Sequence, residues 1–468
     1  METIVVIGAG LVGSVLSMFL AKRGYRVEVY ERGPDLRRAS ISSGRSINLT
    51  LCDRGFRVLD ALGVGAAIRA ASVPAYGRLI HDVRGELTFQ PYGNSGEAIY
   101  SIARSELNKT LLECAESRFD ITFHFNRKCV AVDLATATIE FEEPSTCARR
   151  RVKADRIMGA DGAYSVVRKQ MQKSQRLNYC QEYWHQGYKE LRVPAHLDDG
   201  WASEKNVLHI WPRGHYMLIG FPNTDGSFTC SLHIPFEGDL SFDSIKTRDD
   251  LLSFFNDAFP DVIAHMPDLV KDYFANPPNS MVTIKCSPWS YQDKAVLVGD
   301  ACHSIYPSYG QGANAGFEDC AFLYECLESN PKDWKAVFAE YQRRRKPNTD
   351  AIADLCVEHF VELRDLVGDP RFLLRKEVER KINHLHPEKY KDLYSMITFT
   401  CLPYIEALRI DREQRAIVDR VMSVEGIEQK LFSAEVDRLI EELMAPRQSH
   451  FDWPQERPDS SAAISTVQ

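Results

Sequence analysis

A chain of 468 residues exceeds one ordinary domain, and 44% apolar with 26% charged residues excludes a disordered, fibrous or collagen-like protein. With 57 basic against 65 acidic residues, a net charge of -8 and no face-long Lys/Arg cluster, a nucleic-acid partner is not expected. The 12 cysteines form no Cys-x-x-Cys pair and no zinc-like spacing with histidine, so they read as reduced thiols with packing roles in a cytoplasmic protein.

The apolar run Ile4 to Ala21 has the hydrophobicity of a secretory leader, but no positive charge precedes it and glycines interrupt it at Gly8, Gly10 and Gly13. It reads instead as a strand Ile4 to Ile7, a glycine turn, an amphipathic helix to about Lys22, and a second strand Val27 to Tyr30 ending at Glu31. That is a dinucleotide-binding arrangement. Gly8 permits the tight turn, Gly10 lets backbone approach a pyrophosphate, and Gly13 lets the helix pack on its strand. Glu31 is placed to hold ribose hydroxyls and disfavours a 2′-phosphate. Val12 and Arg32, beside these residues, join the expected cofactor-binding set.

Helices are expected at Asp53 to Leu62 and Ser105 to Glu116, with short strands near Ile121 to Phe125 and Thr138 to Phe141. Between them, Arg78 to His81 and Leu87 to Gln90 alternate as two strands. In GADGAYSVVR, Gly159 to Arg168, Asp161 and the amides of the following helix suit a pyrophosphate or a nicotinamide nucleotide; alternatively the acid only caps a βα turn. From Gly187 to Pro235, YKELRV, NVLHIW, HYMLIGF and SFTCSLHI describe an antiparallel sheet inserted into an α/β domain. A buried strand Ala295 to Val298 leads through VLVGDACHSIYPSYGQGANAGFED into a helix to about Glu328. Asp300 there can accept from a polyol hydroxyl, and Gly310 to Gly316 offers free amides at a helix start. His303 reads as a capping or packing residue and completes no metal set. Trp334 to Met444 is mostly helical, punctuated by Pro347, Pro370, Pro387 and Pro403; Met396 to Leu408 is too short and interrupted to span a bilayer. The Pro/Ser-rich tail Ser449 to Gln468 is expected to be disordered.

The three motifs, in this order and at these separations, resemble those of the flavin-dependent aromatic hydroxylases, single-component monooxygenases with tightly held FAD. The resemblance implies an α/β fold, α+β overall. It comprises a discontinuous FAD-binding Rossmann-like domain (1–74, 98–180, 285–345), an inserted β-sheet substrate domain (75–97, 181–284) and a helical C-terminal region (346–448). It further implies that Gly8, Gly10, Gly13 and Glu31 hold the adenosine half and that Arg104 in SIARSEL contacts the flavin. Asp300 would take the ribityl chain, and Gly312, Ala313 and Asn314 would flank the isoalloxazine ring. NADPH would be the reductant and O2 the oxidant. The segments GRSINL (Gly44 to Leu49), QPYG, GYKEL, LHIWPRG, YSMITF and LPY carry the similarity to about Tyr404. They narrow the implied substrate to kynurenine, hydroxylated on the ring carbon ortho to its amino group. By that resemblance Arg78, Tyr92 and Tyr404 bind the amino-acid carboxylate, although Arg78 taken alone would be a solvated surface charge. Tyr309 and Glu362 are candidates for orienting the substrate or relaying a proton.

Four positions depart from the family pattern. His359 in EHFVEL replaces Asn, exchanging a carboxylate contact for a ring that can donate or, when protonated, add positive charge. Ser308 replaces a bulky aromatic, and Ala313 and Leu363 replace Met. These swaps reshape the apolar wall and make a ring-substituted kynurenine an alternative substrate; a non-catalytic FAD protein that sequesters a small aromatic is a further reading. A flavin-dependent halogenase is disfavoured because no Trp-x-Trp-x-Ile-Pro segment occurs, and a nicotinamide dehydrogenase has no place for the Asp161 and Asp300 motifs. The hydrophobic C-terminal membrane anchor of eukaryotic family members has no counterpart in this sequence, so no membrane anchor is expected, and a homodimer is compatible with the reading.

Overall fold

The computed structural model describes residues 1–38, 47–93, 96–195, 202, 204–362 and 369–447. Residues 44–46 of the GRSINL segment, Leu363 and the tail from residue 449 lie outside them.

The first strand, Thr3–Ile7, has no polar face: Ile4, Val5 and Val6 are fully buried, as expected of a strand covered on both sides. It sits inside a six-stranded sheet ordered Ser290–Tyr291, Ala295–Leu297, Arg156–Gly159, Thr3–Ile7, Arg26–Tyr30, Ile121–His124. All pairs are parallel except the outermost, Ser290–Tyr291 with Ala295–Leu297. Helices Leu11–Lys22 and Gly312–Ser329 pack on it and on each other. Their approach is set by Val12, whose branches lie where a Cβ on Gly316 or Gly299 would sit, 2.5 and 2.9 Å away. The architecture is α/β, α+β overall.

The second large sheet has seven strands: Asn279–Ser287, Asn178–Val193, Phe228–Pro235, Met217–Pro222, Leu208–Pro212, Gly77–His81 and Leu87–Pro91. It is mixed rather than antiparallel, because Leu208–Pro212 runs parallel to Gly77–His81. Alternation within each strand cannot reveal that pairing, since parallel and antiparallel neighbours present the same faces. Asn178–Val193 is also far longer than YKELRV. Its first half is largely exposed and polar and pairs with Asn279–Ser287, so it carries little hydrophobic signal. Helices Arg248–Ala258, Pro260–Ile263 and Leu269–Ala275 cover this sheet through an aromatic-rich core.

Beyond residue 334 the elements of the described residues are all helices: Trp334–Val361, Pro370–Leu385, Leu393–Thr398, Tyr404–Met422, Ile427–Lys430 and Ala434–Met444. Pro370, Pro387 and Pro403 stand at helix boundaries. Pro347 does not: it lies inside Trp334–Val361. An internal proline costs about 3 kcal/mol. Burial of Tyr341, Arg345, Ile352, Leu355 and Phe360 on both sides of it outweighs that cost and carries the helix through. Among the described residues, no helix is long and apolar enough to cross a membrane.

Candidate functional site

Three turns, after Ile7, Gly159 and Leu297, open at the carboxyl ends of neighbouring parallel strands, where open α/β sheets bind ligands. Gly8 sits at φ +103, and a Cβ there would meet the Ala160 oxygen at 2.5 Å; one on Gly13 would lie 1.9 Å from the Gly8 oxygen. Those two glycines are demanded by the fold. Gly10 is different, because nothing among the described residues lies within 4 Å of the position its Cβ would take.

Helices Leu11–Lys22 and Gly312–Ser329 both start without a side-chain cap and without an acid in the first turn. Both therefore present free amides and partial positive charge. Glu31 closes one flank, accepting from the amides of Ala9 at 2.9 Å and Gly33 at 2.8 Å. Asp300 lies in the turn Gly299–Ala301; burial pushes its carboxyl up, opposed by the nearby charge of Arg104. Arg104 opens helix Arg104–Arg118 and also acts on Tyr188 and Glu190 of the second sheet, so it stands between the two sheets. The chemistry fits a flavin dinucleotide: amides for a pyrophosphate and an electron-rich ring, Glu31 for a ribose, Asp300 for a polyol.

Other expected cofactor residues are engaged elsewhere. Asp161 accepts from Val166 N at 2.7 Å and Val167 N at 3.3 Å, the capping alternative. Val12 packs against Gly299 and Gly316. Asn314 locks the turn from behind, accepting from Cys52 N at 3.2 Å and donating to Thr50 O at 2.9 Å and Gly310 O at 2.8 Å. Ala313 packs on the main core, and Arg32 is exposed.

A cavity of about 750 Å³ lies between the Gly77–His81 and Leu87–Pro91 strands and the C-terminal helices. Arg78, Tyr92, Tyr309, His359 and Tyr394 cluster on its wall. The Arg78 guanidinium carbon is 5.3 Å from the Tyr92 ring centre and 5.2 Å from that of Tyr394. Tyr92 and Tyr394 stack at 5.3 Å, and Tyr309 stacks on His359 at 4.0 Å. No carboxylate of the described residues forms an ion pair with Arg78, which is a half-buried cation in an aromatic frame rather than a fully solvated surface charge. The opposite wall is charged and internally paired: Arg375 with Asp419 at 2.6 Å, Arg415 with Asp411 at 2.6 Å, and Lys376 with Glu379 at 3.1 Å and Glu362 at 3.7 Å.

His359 Nδ1 lies 3.2 Å from the Ser308 carbonyl oxygen. A carbonyl only accepts, so Nδ1 carries the proton. Burial, then Arg78 and Lys376, push the ring pKa well below its ordinary value. With Nδ1 donating to the wall, the neutral imidazole carries its lone pair on Nε2. The Ser308 hydroxyl donates back to the Cys356 carbonyl at 2.5 Å, so it ties down this wall. Burial pushes the Tyr309 phenol well up, keeping it neutral.

Tyr404 is not on the cavity wall. It is fully buried, its hydroxyl donates to Gln311 Oε1 at 2.9 Å, and Arg54 covers its ring at 4.0 Å. Tyr394, in YSMITF, takes the place beside Arg78; its helix starts where Asp392 accepts from Ser395 N at 3.0 Å. Lys376 lies in none of the quoted segments, and Tyr394 opens YSMITF without a site role being assigned to it.

Behind the glycine turn lies a buried ion network. Arg54 donates to Glu318 at 2.5 Å and to Leu402 O at 2.7 Å; Arg345 donates to Asp319 at 2.7 Å and Glu318 at 3.0 Å. His303 also meets Asp319. The potential ligand atoms of Cys302, His303 and Asp319 come within 4.8 Å of one another, a grouping not apparent from spacing. Asp319 is already neutralised by Arg345, and the Cys302 thiol, pushed well up by burial, donates to Gly299 O at 3.2 Å. The trio therefore reads as part of the ion network.

The family described as FAD binding domain matches residues 1–185 and 279–355. The chain is 47% identical over 441 residues to a kynurenine 3-monooxygenase of Flavobacterium johnsoniae, covering 94% of this chain and 98% of that protein. It is 46% identical over 443 residues to a kynurenine 3-monooxygenase of Christiangramia forsetii, covering 95% and 99%. Among solved structures, 2-methyl-3-hydroxypyridine-5-carboxylic acid oxygenase matches with a TM-score of 0.64 at 20% identity, over 80% of this chain and 95% of that one. This last likeness concerns the fold alone.

Proposed function

The chain belongs to the kynurenine 3-monooxygenase family of flavin-dependent aromatic monooxygenases, and from that premise we propose that it converts L-kynurenine to 3-hydroxykynurenine with NADPH and O2, a step of tryptophan degradation. The observation that carries this reading is Arg78, a half-buried guanidinium with no ion-pair partner among the described residues, set in a cavity walled by tyrosines. A buried charge left unpaired is costly, so the site calls for an anionic ligand with an aromatic body.

FAD, held by the two uncapped helix starts, Glu31 and Asp300, would supply the redox chemistry, passing two electrons from NADPH to O2 so that one oxygen atom enters the ring and the other leaves as water. The chain supplies placement. Arg78 offers a carboxylate a bidentate fork, and the Tyr92 phenol adds a donor beside it. Tyr309, Tyr394 and His359 give flat faces against which a benzene ring can lie, and the burial of Tyr309 and His359 limits the access of water. Kynurenine's amino group already enriches its ring in electrons, so near-attack placement suffices and no protein nucleophile is required. Tyr309, as a neutral phenol, and Glu362, beside Lys376, are the proposed orienting and proton-relay groups.

NADPH docks transiently in the cleft near the second sheet in this reading. A cytoplasmic setting accords with twelve unbridged cysteines, and a homodimer belongs to the same proposal. The test is NADPH oxidation by the purified flavoprotein with kynurenine and ring-methylated kynurenines, with products identified by mass. Coupled formation of 3-hydroxykynurenine is expected. Faster turnover of a ring-methylated analogue would shift the substrate, and ligand binding without NADPH consumption would make the protein a sequestering module.

A further inference from the structure

We infer that His359 recognises the α-ammonium group of the substrate, accepting one of its N–H donors at Nε2, and is the residue that makes the site specific for an amino acid over the corresponding carboxylic acid. The inference rests on the reading that the cavity binds kynurenine, and deepens it by assigning the two ends of the amino-acid head group to different residues.

The direction of the hydrogen bond follows from the far side of the ring. Nδ1 is committed as a donor to the Ser308 carbonyl. Nε2 is buried, bears the lone pair and has no hydrogen-bond partner among the described residues, although the ring lines the cavity and is only 4% exposed. A lone pair repels a carboxylate and attracts an ammonium. Such an acceptor is satisfied only by a ligand that donates.

The surroundings divide the head group the same way. Arg78 is near enough to His359 to be the first charged influence on it, and the two share Tyr394, at 5.2 Å from the guanidinium carbon and 5.9 Å from the imidazole centre. A carboxylate on Arg78 places the ammonium, attached to the adjoining carbon, beside that frame. His359 also stands in the last turn of the 28-residue helix Trp334–Val361, whose carbonyl end carries partial negative charge, and Glu362 follows at its C-cap. Lys376 is occupied by Glu379 and Glu362, so it does not repel the incoming cation outright. An asparagine could present either end of its amide here, whereas an imidazole with Nδ1 tied down presents only an acceptor.

The test titrates the FAD-loaded enzyme with L-kynurenine and with its desamino analogue, 4-(2-aminophenyl)-4-oxobutanoate, following the flavin spectrum. The wild type is expected to bind kynurenine at least ~tenfold more tightly than the analogue. His359→Phe, which keeps a ring against Tyr309, should bring the ratio to within about twofold by weakening kynurenine alone. His359→Asn, with an oxygen able to accept, should retain most of the ratio. Equal binding of the two ligands by the wild type, or equal weakening of both by His359→Phe, would overturn the inference. Binding is read without turnover. A wild type that shows the ratio yet produces no 3-hydroxykynurenine would therefore defeat the proposed reaction and leave the role of His359 standing.

Discussion

The hydroxyl of Tyr404 donates to the side-chain oxygen of Gln311 at 2.9 Å, and Gln311 is the residue from which the Gly312–Ser329 helix starts. A phenol that the LPY motif assigns to the substrate is thus committed to the floor of the cofactor turn. Tyr404→Phe is expected to lower stability by about 1 kcal/mol, the usual loss for a buried neutral hydrogen bond, while the kynurenine KM stays within about twofold. Thermal melting and steady-state kinetics check both parts; a tenfold rise in KM would return the phenol to the substrate.

Arg78→Ala removes the cation that Tyr92 and Tyr394 frame. Truncating one partner of a buried charged pair costs about 2–5 kcal/mol, so the kynurenine KM should rise by roughly 30-fold or more, with the flavin spectrum of the purified protein unchanged. Arg78→Lys should recover only part of the loss, because an ammonium cannot reproduce the planar fork. Unaltered kinetics in Arg78→Ala would take the residue out of the site.

Gly10 and Gly13 are predicted to fail in different ways. A methyl at Gly13 would lie 1.9 Å from the Gly8 oxygen, so Gly13→Ala should yield little folded protein. A methyl at Gly10 meets no protein atom within 4 Å. Gly10→Ala should therefore fold and melt like the wild-type apoprotein yet hold FAD weakly, a contrast read by circular dichroism and flavin content. Full FAD retention in Gly10→Ala would exclude close backbone approach of the cofactor there.

Burial pushes the imidazoles of His209 and His233 down to about 3 and about 4, against about 6.5 in the unfolded chain. As pH falls below about 6.5 the unfolded state takes protons that the folded state refuses, so stability is full above that value and declines below it. Each group contributes about 1.4 kcal/mol per pH unit, until about pH 4 for His233 and about pH 3 for His209. Urea midpoints between pH 6 and pH 4 should consequently fall less steeply in His233→Gln than in the wild type. Parallel slopes would show that His233 is not among the groups responsible.

The glycine turn is legible in sequence because each requirement is local: a positive φ at Gly8, a missing side chain at Gly13, an acid at the end of the next strand. Arg345 is not. It belongs to the run Arg343 to Lys346, which reads as a solvated charged face, and only the helix turns it inward onto Glu318 and Asp319 while Arg343 stays outside with Glu340. Tyr394 and Tyr404 lie ten residues apart in similar apolar surroundings. Which of them meets Arg78 depends on how two successive helices pack, a long-range matter that no motif encodes. The same holds for the parallel pairing of Leu208–Pro212 with Gly77–His81, and for His359, whose acceptor character depends on the carbonyl of Ser308 in a distant turn.

The sheet order also bears on how the protein comes into being. Thr3–Ile7 lies between Arg26–Tyr30 and Arg156–Gly159, with Ala295–Leu297 as the next strand beyond. The ribosome has therefore released well over half of the 468 residues before the sheet that holds the first strand can be completed. Closing such long intervening segments is entropically costly and slow, and the intervening sheet has time to form as a unit of its own. Cofactor capture is consequently a late event in the life of each molecule. A nascent chain arrested before residue 295 should carry no flavin colour, however well its opening turn is formed.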